Sequence, residues 1–488
     1  MSDSTEPKSR PPRSFTRQLA SSGIWSVVGR VAAIGSVLLN YRLVCETLPE
    51  DELSIYNTVL GIVALAALVC ASGLGSVLLR RLSHTRRAGT DDSGDHPESE
   101  TPPPKSALFF QVTVLSFGIW AVVSAVFVGI LLVDPLFFGW VVAPIAAIIV
   151  IWIAARLMLS LITEAARALK HFSLAAIIGG QQEGPAVNLL VLASLLVHGK
   201  DVDTAGKAIM LHLIATSIVT VFSMVFMLRV FKQHDRRLSF RFPVATSKLF
   251  SESSKVLVSQ VATRGITDIE TILIGKYCSS EMINTWGAIR RLMIAVSAPL
   301  QFINAAIPGF IAELHSHRDY KKMERLLRGT CTLATPPAIV AFVGICFFGG
   351  WMLAIFDPAF TIGTPSLILL AAANVIFVGA GSAGLALRMT DNQGFATVST
   401  LVIGGLYLAI TPWVIEHYQI WGAAVMGTIV IVSRNAIATA LVKWRLGIWC
   451  TPYWDPRKAG GILTIIRNRK QKRIKQPATA TTDSREGL

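Results

Sequence analysis

The feature that most constrains this chain is its series of long apolar runs. A helix needs about 20 apolar residues to cross a hydrocarbon core of about 30 Å. About twelve such runs are present, at residues 23–44, 56–79, 108–133, 138–161, 173–197, 206–228, 250–276, 283–310, 330–356, 364–388, 395–413 and 420–442. Membrane-spanning β-strands would show alternating segments of about 10 residues, and these runs do not alternate. The sequence therefore predicts an all-α polytopic membrane protein with about twelve transmembrane helices.

Positive residues are distributed unevenly between the two ends of these runs. If the N-terminus lies inside, the inner segments hold 35 of the 45 lysines and arginines, and the outer loops hold Lys200, Lys207 and Lys276 alone. Because lysine and arginine accumulate in cytoplasmic loops, both termini are predicted to be cytoplasmic. The net charge of +15 then serves to attract the inner loops to anionic membrane lipids, and no nucleic-acid partner is needed to explain it.

Two similar halves are visible in the sequence. The runs of helices 1 and 7 both open with Ser-Ser and close near a cysteine, Cys45 or Cys278, and HFSLAAIIGG (171–180) resembles GFATVSTLVIGG (394–405). Six helices per copy make the copies parallel, related by an axis along the membrane normal. The predicted organisation is a basic arm 1–22, a six-helix bundle 23–228 with a polar, proline-rich loop 84–106, a linker 229–249, a second six-helix bundle 250–442 and a basic tail 443–488.

Helix 7 carries charges inside its apolar run, in the sequence TRGITDIETILIGK (263–276). A charge in mid-membrane costs about 2.5–3.5 kcal/mol on insertion scales. Arg264 and Asp268 are four residues apart and share a helix face, whereas Glu270 lies about 200° around the helix from Asp268. Two interpretations follow, and both can hold together. Arg264 and Asp268 form a neutralising pair within the bundle, or their face lines a water-filled cavity.

Further polar residues are predicted at depth. They are Arg30 in helix 1, Arg290 and Arg291 in helix 8, and Gln181, Gln182 and Glu183 in the QQEGP segment of helix 5. Pro185 in that segment is expected to kink the helix. Interrupted helices with polar groups near the midplane indicate a transport site, although a kink satisfied by neighbouring helices explains the segment equally well.

Cations outnumber acids among the residues predicted inside the membrane. This balance favours a cationic cavity for an anionic substrate, and the planar guanidinium of arginine suits phosphate. The sequence shows no Walker-type phosphate loop and no metal-ligand spacing of its cysteines, so it predicts neither an enzyme nor a bound cofactor. Energy would come from a Na⁺ or H⁺ gradient, with Asp268, Glu270 and Glu183 as coupling candidates, from the substrate gradient, or from metabolic pull.

The chain resembles the polysaccharide flippases of the multidrug/oligosaccharidyl-lipid/polysaccharide exporter superfamily, which include O-antigen flippases. The resemblance covers about residues 15–450. It is carried by LPEDELSIYNTVLGIVALAALVCASGLGSVLLRRL (48–82), TDIETILIGKY (267–277), TWGAIRRLMIAVSAPLQFINAAIPGFIAELHSHRDYKKMERLLRG (285–329) and IFDPAF (355–360). In this family an acidic residue is common at the position of Asp268, and a basic one at Arg290 or Arg291. Twelve helices argue against the lipid II flippases, which usually have fourteen.

The resemblance implies two six-helix bundles around a central cavity, alternating access and an undecaprenyl-linked oligosaccharide as substrate. It also implies a place in the bacterial cytoplasmic (inner) membrane, with a polysaccharide polymerase and glycosyltransferases as partners. The leading hypothesis has Arg30, Arg264 and Arg290 or Arg291 contacting the diphosphate, with Gln181 and Gln182 in the same cavity. The alternatives are a cation-coupled multidrug exporter of the same fold, whose cavity should be acid-rich, and a non-transporting scaffold for glycan synthesis, because fold alone does not fix function.

Overall fold

A computed structural model describes most of the chain. The described residues are 15–71, 73–84, 104–133, 143–169, 171–179, 184–235, 239–240, 242–261, 265–307, 310–311, 314–315, 317–390 and 393–453. Within these ranges all regular structure is helical. The beginning of the predicted arm, nearly all of the loop 84–106 and most of the predicted tail lie outside them.

The helices follow one another with short connections. In the first half they are α1 Phe15–Thr47, α2 Glu50–Ala71, α3 Leu74–His84, α4 Lys105–Val133, α5 Ala143–Ala168, α6 Phe172–Ile178, α7 Pro185–His198 and α8 Ala205–His234. In the second half they are α9 Thr246–Gln260, α10 Ile266–Tyr277, α11 Ser280–Ala306, α12 Tyr320–Ala354, α13 Thr364–Gly379, α14 Ala383–Met389 and α15 Gln393–Leu446. Helix α15 changes direction at Gln419 (φ 52°, ψ −141°) and so has two arms.

Each of the twelve predicted runs falls on these helices. Four runs are built from two consecutive helices each, namely α2 with α3, α6 with α7, α9 with α10, and α13 with α14, and the two arms of α15 supply the last two runs. Seven described helical segments are long and apolar enough on their own to cross a membrane. The predicted all-α polytopic membrane fold is confirmed, and α1 begins inside the predicted arm rather than at residue 23.

The interruption predicted in helix 5 takes a different form from the expected kink. Helix α6 ends at Ile178, Gly179 adopts φ 90°, and Pro185 is the first residue of α7. At that position the missing N–H of proline costs no helical hydrogen bond, and its fixed φ suits the start of a helix. Pro185 therefore begins a second helix instead of bending a continuous one. Gln181, Gln182 and Glu183 lie in the stretch that the structure leaves undescribed.

The same packing scheme occurs in both halves. In the first, α1 packs on α6 and α7, α2 on α5, and α5 on α8. In the second, α10 packs on α15, α11 on α13, and α13 on α15. In each half, the first predicted span contacts the fifth, the second contacts the fourth, and the fourth contacts the sixth. This agrees with two parallel six-helix bundles.

The two bundles meet along α2 and α3 on one side and α9 and α10 on the other. We call the end that carries the turns at 48–49 and 278–279 the outer end, following the predicted orientation. Toward the outer end α2 and α10 approach closely, because a Cβ at Gly275 would lie 2.6 Å from the Thr58 hydroxyl. At the inner end Glu252 of α9 accepts hydrogen bonds from Arg80 (2.8 Å) and Arg81 (2.5 Å) of α3. This seam is held together at both ends.

Candidate functional site

Asp268 faces an arginine on the neighbouring helix. Its Oδ1 lies 3.4 Å from Nη2 of Arg290 on α11, and Nη1 of Arg290 donates to the hydroxyl of Thr271, one turn along α10 from Asp268. Both charged side chains are partly exposed, Arg290 by 30% and Asp268 by 19%. The Asp268–Arg290 distance exceeds the 2.7–2.9 Å typical of charge-assisted hydrogen bonds. The pair is therefore loose and open to a third group.

The predicted partner of Asp268, Arg264, lies outside the described residues. The carboxylate nevertheless has a cationic neighbour in Arg290, which comes from a different helix. A neutralising role for helix 7 charges thus does not require Arg264. Whether Arg264 also faces the cavity stays a prediction.

Arg291 points away from Arg290, since adjacent residues of a helix lie about 100° apart. Its guanidinium carbon lies 3.5 Å from the centre of the Tyr41 ring on α1. Its Nη1 donates to the carbonyl of Gly287 at 2.8 Å and to Oδ1 of Asn57 at 3.4 Å. An arginine stacked on an aromatic face is held by cation–π attraction. Arg291 therefore joins the second bundle to both α1 and α2 of the first.

Around the half-buried Arg291 lies a network that we call the outer polar cluster, made of Arg291 and the buried residues Tyr41, Asn57 and Asn284. The Tyr41 hydroxyl donates to the carbonyl of Asn284 at 2.9 Å. The Asn57 amide donates to the Tyr41 hydroxyl and to Oδ1 of Asn284, both at 3.1 Å. The Asn284 amide in turn donates to the carbonyl of Glu50 at 2.8 Å. The cluster ties α1, α2 and α11 together at the outer end.

This cluster contains three residues that sequence reasoning missed. Uncharged polar side chains in apolar helices give little signal, because their cost is small once they are hydrogen-bonded. One signal was present. An Asn-Thr pair occurs beside the aromatic residue of each half, in SIYNTVLG (54–61) and in NTWGAIRR (284–291). Those asparagines, Asn57 and Asn284, are the two that bond to each other across the bundles.

Glu270 occupies the other face of α10, away from Asp268. It is only 6% exposed, and its Oε1 accepts a hydrogen bond from the Tyr407 hydroxyl of α15 at 2.7 Å. The backbone of α15 comes close on the same side, where a Cβ at Gly427 would lie 3.1 Å from Oε1. Arg290 is near enough to Glu270 to interact with it electrostatically. Arg290 therefore interacts electrostatically with both acids of α10, Asp268 and Glu270.

The structure brings four of the predicted site residues into one region of α10 and α11: Asp268, Glu270, Arg290 and Arg291. Arg30 lies on α1, but its side chain is outside the described part of the chain, as are Arg264, Gln181, Gln182 and Glu183. Among the described residues, no group of three or more histidines, cysteines, aspartates or glutamates could hold a metal ion.

The arginines of this region retain capacity for a ligand. A guanidinium carries five N–H donors. Within the described part of the chain, the hydrogen bonds of Arg290 and Arg291 use only some of them. An anion could bind there by adding to the present contacts or by replacing Asp268. A cation could bind instead at the carboxylate of Asp268 or at that of Glu270.

Comparison with known proteins identifies the fold. No protein-family model matches the chain, and neither does any curated protein. A transporter of the MOP superfamily from Pyrococcus furiosus, described as having a binding pocket of reverse polarity that suggests a different function, superposes with a TM-score of 0.63. It is 12% identical, over 88% of this chain and 96% of that one.

Two further structures give the same result. The MATE multidrug transporter DinF-BH has a TM-score of 0.63 and 13% identity, over 91% of this chain and 98% of its own. An inward-facing MATE family transporter has a TM-score of 0.60 and 12% identity, over 87% and 98% of the two chains. The chain therefore has the fold of MOP-superfamily transporters and is a multi-pass membrane protein.

Proposed function

We propose that this protein is a membrane transporter that flips an undecaprenyl-linked oligosaccharide from the cytoplasmic to the outer leaflet. The observation that carries the proposal is the arginine pair of α11. Arg290 is partly exposed and only loosely paired, and Arg291 lies at the junction of the two bundles. Arginine binds phosphate through parallel N–H donors. A diphosphate head would contact this region while the polyprenyl tail stays in the lipid.

The proposed setting follows from the charge distribution. With 35 of 45 lysines and arginines on one side of the predicted spans, both termini would lie in the cytoplasm. The resemblance to O-antigen flippases implies that the membrane is the bacterial cytoplasmic membrane. A polysaccharide polymerase and glycosyltransferases would act on the same substrate. The protein would transport without catalysing a covalent change.

Alternating access would depend on the outer polar cluster. In the structure this cluster joins the bundles at the outer end, so we infer a state closed to the outside. Opening outward would require Arg291 to leave Tyr41 and Asn57. A substrate can drive such a change only if it binds the two states with different affinity. A phosphate that draws Arg291 away from Tyr41 would supply that difference.

Ion coupling would use the acids of α10. Asp268 pairs with Arg290, and Glu270 interacts electrostatically with the same charge from the other face of α10. The sequence predicts Glu183 in the same cavity. A Na⁺ or H⁺ bound at either carboxylate would weaken its hold on Arg290 and leave the guanidinium more available to phosphate. The substrate gradient and metabolic pull are the alternative sources of energy.

A cation-coupled multidrug exporter is the second candidate function. It is favoured by the buried carboxyl of Glu270 and by the multidrug transporters that share the fold. The polarity of the site argues for the flippase, because Arg290 pairs with Asp268 and Arg291 lies nearby without an acidic partner among the described residues. The Pyrococcus furiosus transporter, with its pocket of reverse polarity, supports the idea that this fold accepts cavities of either sign.

The proposal is tested by binding. The affinity of the purified protein for a polyprenyl diphosphate sugar is compared with its affinity for the same sugar on an uncharged polyprenol. Arg290→Gln should weaken binding of the diphosphate compound by about 10- to 100-fold, the value of one charge-assisted hydrogen bond. Arg42→Gln is the control, since the Arg42 side chain is 40% exposed and paired with Glu46. Equal affinity for the charged and uncharged compounds would contradict the proposal, and preferential binding of a lipophilic cationic dye would favour the exporter.

A further inference from the structure

A large cavity lies in the second bundle, away from the arginine pair. It has a volume of about 850 Å³ and is lined by α13, by the second arm of α15 and by residues that follow α15. Cavities that bury drug-sized ligands measure about 300–1,000 Å³. The cavity lies toward the C-terminal end of the second arm of α15, away from the bend at Gln419, which makes it an inner-end feature in the predicted orientation.

One wall of this cavity is a fixed extended segment, residues 447–453, which we call the strap. Cys450 of the strap is fully buried. Nε of Arg328 on α12 donates to the carbonyl of Thr451 at 3.3 Å, and its guanidinium lies 4.2 Å from the centre of the Tyr453 ring. The backbone N–H of Tyr453 donates to the Thr332 hydroxyl at 2.9 Å. The strap is therefore part of the folded bundle, and the cavity has a built wall.

The interior of the cavity suits a hydrocarbon chain. Small residues at the end of α13 and on α15 create the space, namely Gly379, Ala380, Ala436 and Ala440. A Cβ added at Gly379 would meet nothing within 4 Å. A flexible acyl chain fills an irregular apolar groove of this kind without needing polar partners.

Two polar features mark how a ligand would be oriented. Thr439 is one of the residues that line the cavity, and in the described part of the chain its buried hydroxyl has no hydrogen-bond partner. A buried hydroxyl without a partner is costly, and turning the Thr439 side chain toward an ester or glycerol oxygen in the cavity would satisfy it. Lys443, one turn farther along α15, lies at the strap, where its Nζ is 4.9 Å from the centre of the Trp449 ring.

The aromatic residues at this mouth place it at the level of lipid headgroups. Trp444 and Trp449 both line the cavity and are 69% and 44% exposed. Tryptophan is enriched at the membrane–water interface. Arg445 lies against the rings of Phe395 and Trp444, at 4.1 and 4.4 Å, so a second cation lies beside one of the cavity's tryptophans.

We propose that this cavity binds one anionic phospholipid of the surrounding bilayer, with an acyl chain between α13 and α15 and the phosphate beside Lys443. Basic pockets between transmembrane helices on the cytoplasmic side bind anionic lipid headgroups, and the charge of Lys443 and Arg445 complements such a head. The proposal does not depend on what the protein transports. The bound lipid would bridge α13, α15 and the strap.

The test measures which lipids the purified full-length chain retains. Protein from mixed phosphatidylglycerol and phosphatidylcholine nanodiscs is analysed by native mass spectrometry. Wild type should retain one phosphatidylglycerol in preference to phosphatidylcholine. Lys443→Gln should lower that preference by about fivefold, the effect of one lysine near an anionic surface. Lys321→Gln is the control, an exposed lysine at the start of α12, and should leave the preference unchanged.

A second variant tests the chain-binding part of the cavity. Gly379→Leu fills the space and should remove the retained lipid of either kind. If a variant fails to fold, the wild-type chain still decides the matter, because phosphatidylglycerol should raise its melting temperature more than phosphatidylcholine does. Equal retention and equal stabilisation by the two lipids would overturn the proposal. So would exclusive retention of an added polyprenyl phosphate, which would make the cavity a substrate site.

Discussion

Arg291 and Tyr41 belong to different halves of the chain, yet the guanidinium carbon of Arg291 lies 3.5 Å from the centre of the Tyr41 ring. Two asparagines complete the contact. The Asn57 amide donates to the Tyr41 hydroxyl and to Oδ1 of Asn284, and the Tyr41 hydroxyl donates to the carbonyl of Asn284. Because this stacked pair and its amides join the two bundles at the outer end, they would have to separate if that end opens.

Gly287→Ala should weaken the outer closure. A Cβ at this position would lie 2.6 Å from the Tyr41 hydroxyl and 2.8 Å from Oδ1 of Asn57, so the cluster must shift. Polar groups left unpaired by the shift cost about 1–3 kcal/mol each. A cysteine placed beside Asn284 should react faster with an impermeant reagent added from outside.

The matched control is Gly405→Ala, where a Cβ meets nothing within 4 Å. It should leave labelling unchanged and keep the protein as stable as wild type or slightly more so, since alanine is the better helix former. Equal labelling of the Gly287→Ala and Gly405→Ala proteins would mean that the cluster does not hold the outer end closed.

The Asp268–Arg290 pair predicts an asymmetric double-mutant cycle. Arg290→Ala should destabilise the fold because it leaves Asp268 without its described partner, and Asp268→Ala in the same chain should restore part of that loss.

Arg264→Lys should be normally abundant but transport less, because lysine lacks the planar donor fork. Arg264→Ala with Asp268→Ala should fold yet stay inactive. Full transport by that double variant would make these charges structural.

Variants of the Glu270–Tyr407 hydrogen bond distinguish a role in ion coupling from a role in folding. Tyr407→Phe removes the donor to a buried carboxyl and should cost about 1–3 kcal/mol in the free energy of unfolding. Glu270→Gln keeps the size of the side chain and an oxygen acceptor, so it should fold at normal abundance. If Glu270 couples transport to an ion, Glu270→Gln should transport at one rate with or without a Na⁺ or H⁺ gradient. A gradient dependence equal to that of wild type would assign coupling elsewhere.

Orientation is tested by labelling from the two sides of the membrane in a cysteine-free background. A cysteine in 84–106 should react only from the cytoplasm, and one near Asp201 only from outside, because of the 35-to-3 division of positive residues. Reaction of both positions from one side would be incompatible with twelve alternating spans.

The fold was largely predictable because length and apolarity alone locate membrane-spanning helices. The positions at which helices break were less predictable. Positive-φ backbone at Gly73, Gly179 and Gly381 depends on local geometry that composition does not reveal. Only the QQEGP segment indicated an interrupted helix. That segment predicted a kink at Pro185, whereas the structure starts a new helix there.

Contacts between helices were the least predictable part of the site. Spacing along one helix predicted Arg264 as the partner of Asp268, and that pairing stays a prediction. Spacing gave no indication of Arg290, which pairs with Asp268 from the next helix. The opposite placement of Glu270 did follow from helical periodicity, and its partner Tyr407 lies far along the chain. Periodicity gives the face of a residue, and only packing gives its neighbour.

The most direct test of the central claim is flipping in proteoliposomes. A fluorescent polyprenyl diphosphate oligosaccharide is placed in one leaflet, and its appearance in the other is followed by quenching. Wild type should flip it, Arg290→Lys and Arg291→Lys should flip it more slowly at normal abundance, and Arg42→Lys should match wild type. The account would be contradicted if the folded wild-type protein flipped the lipid-linked sugar no faster than empty liposomes do, while the same vesicles took up cationic drugs.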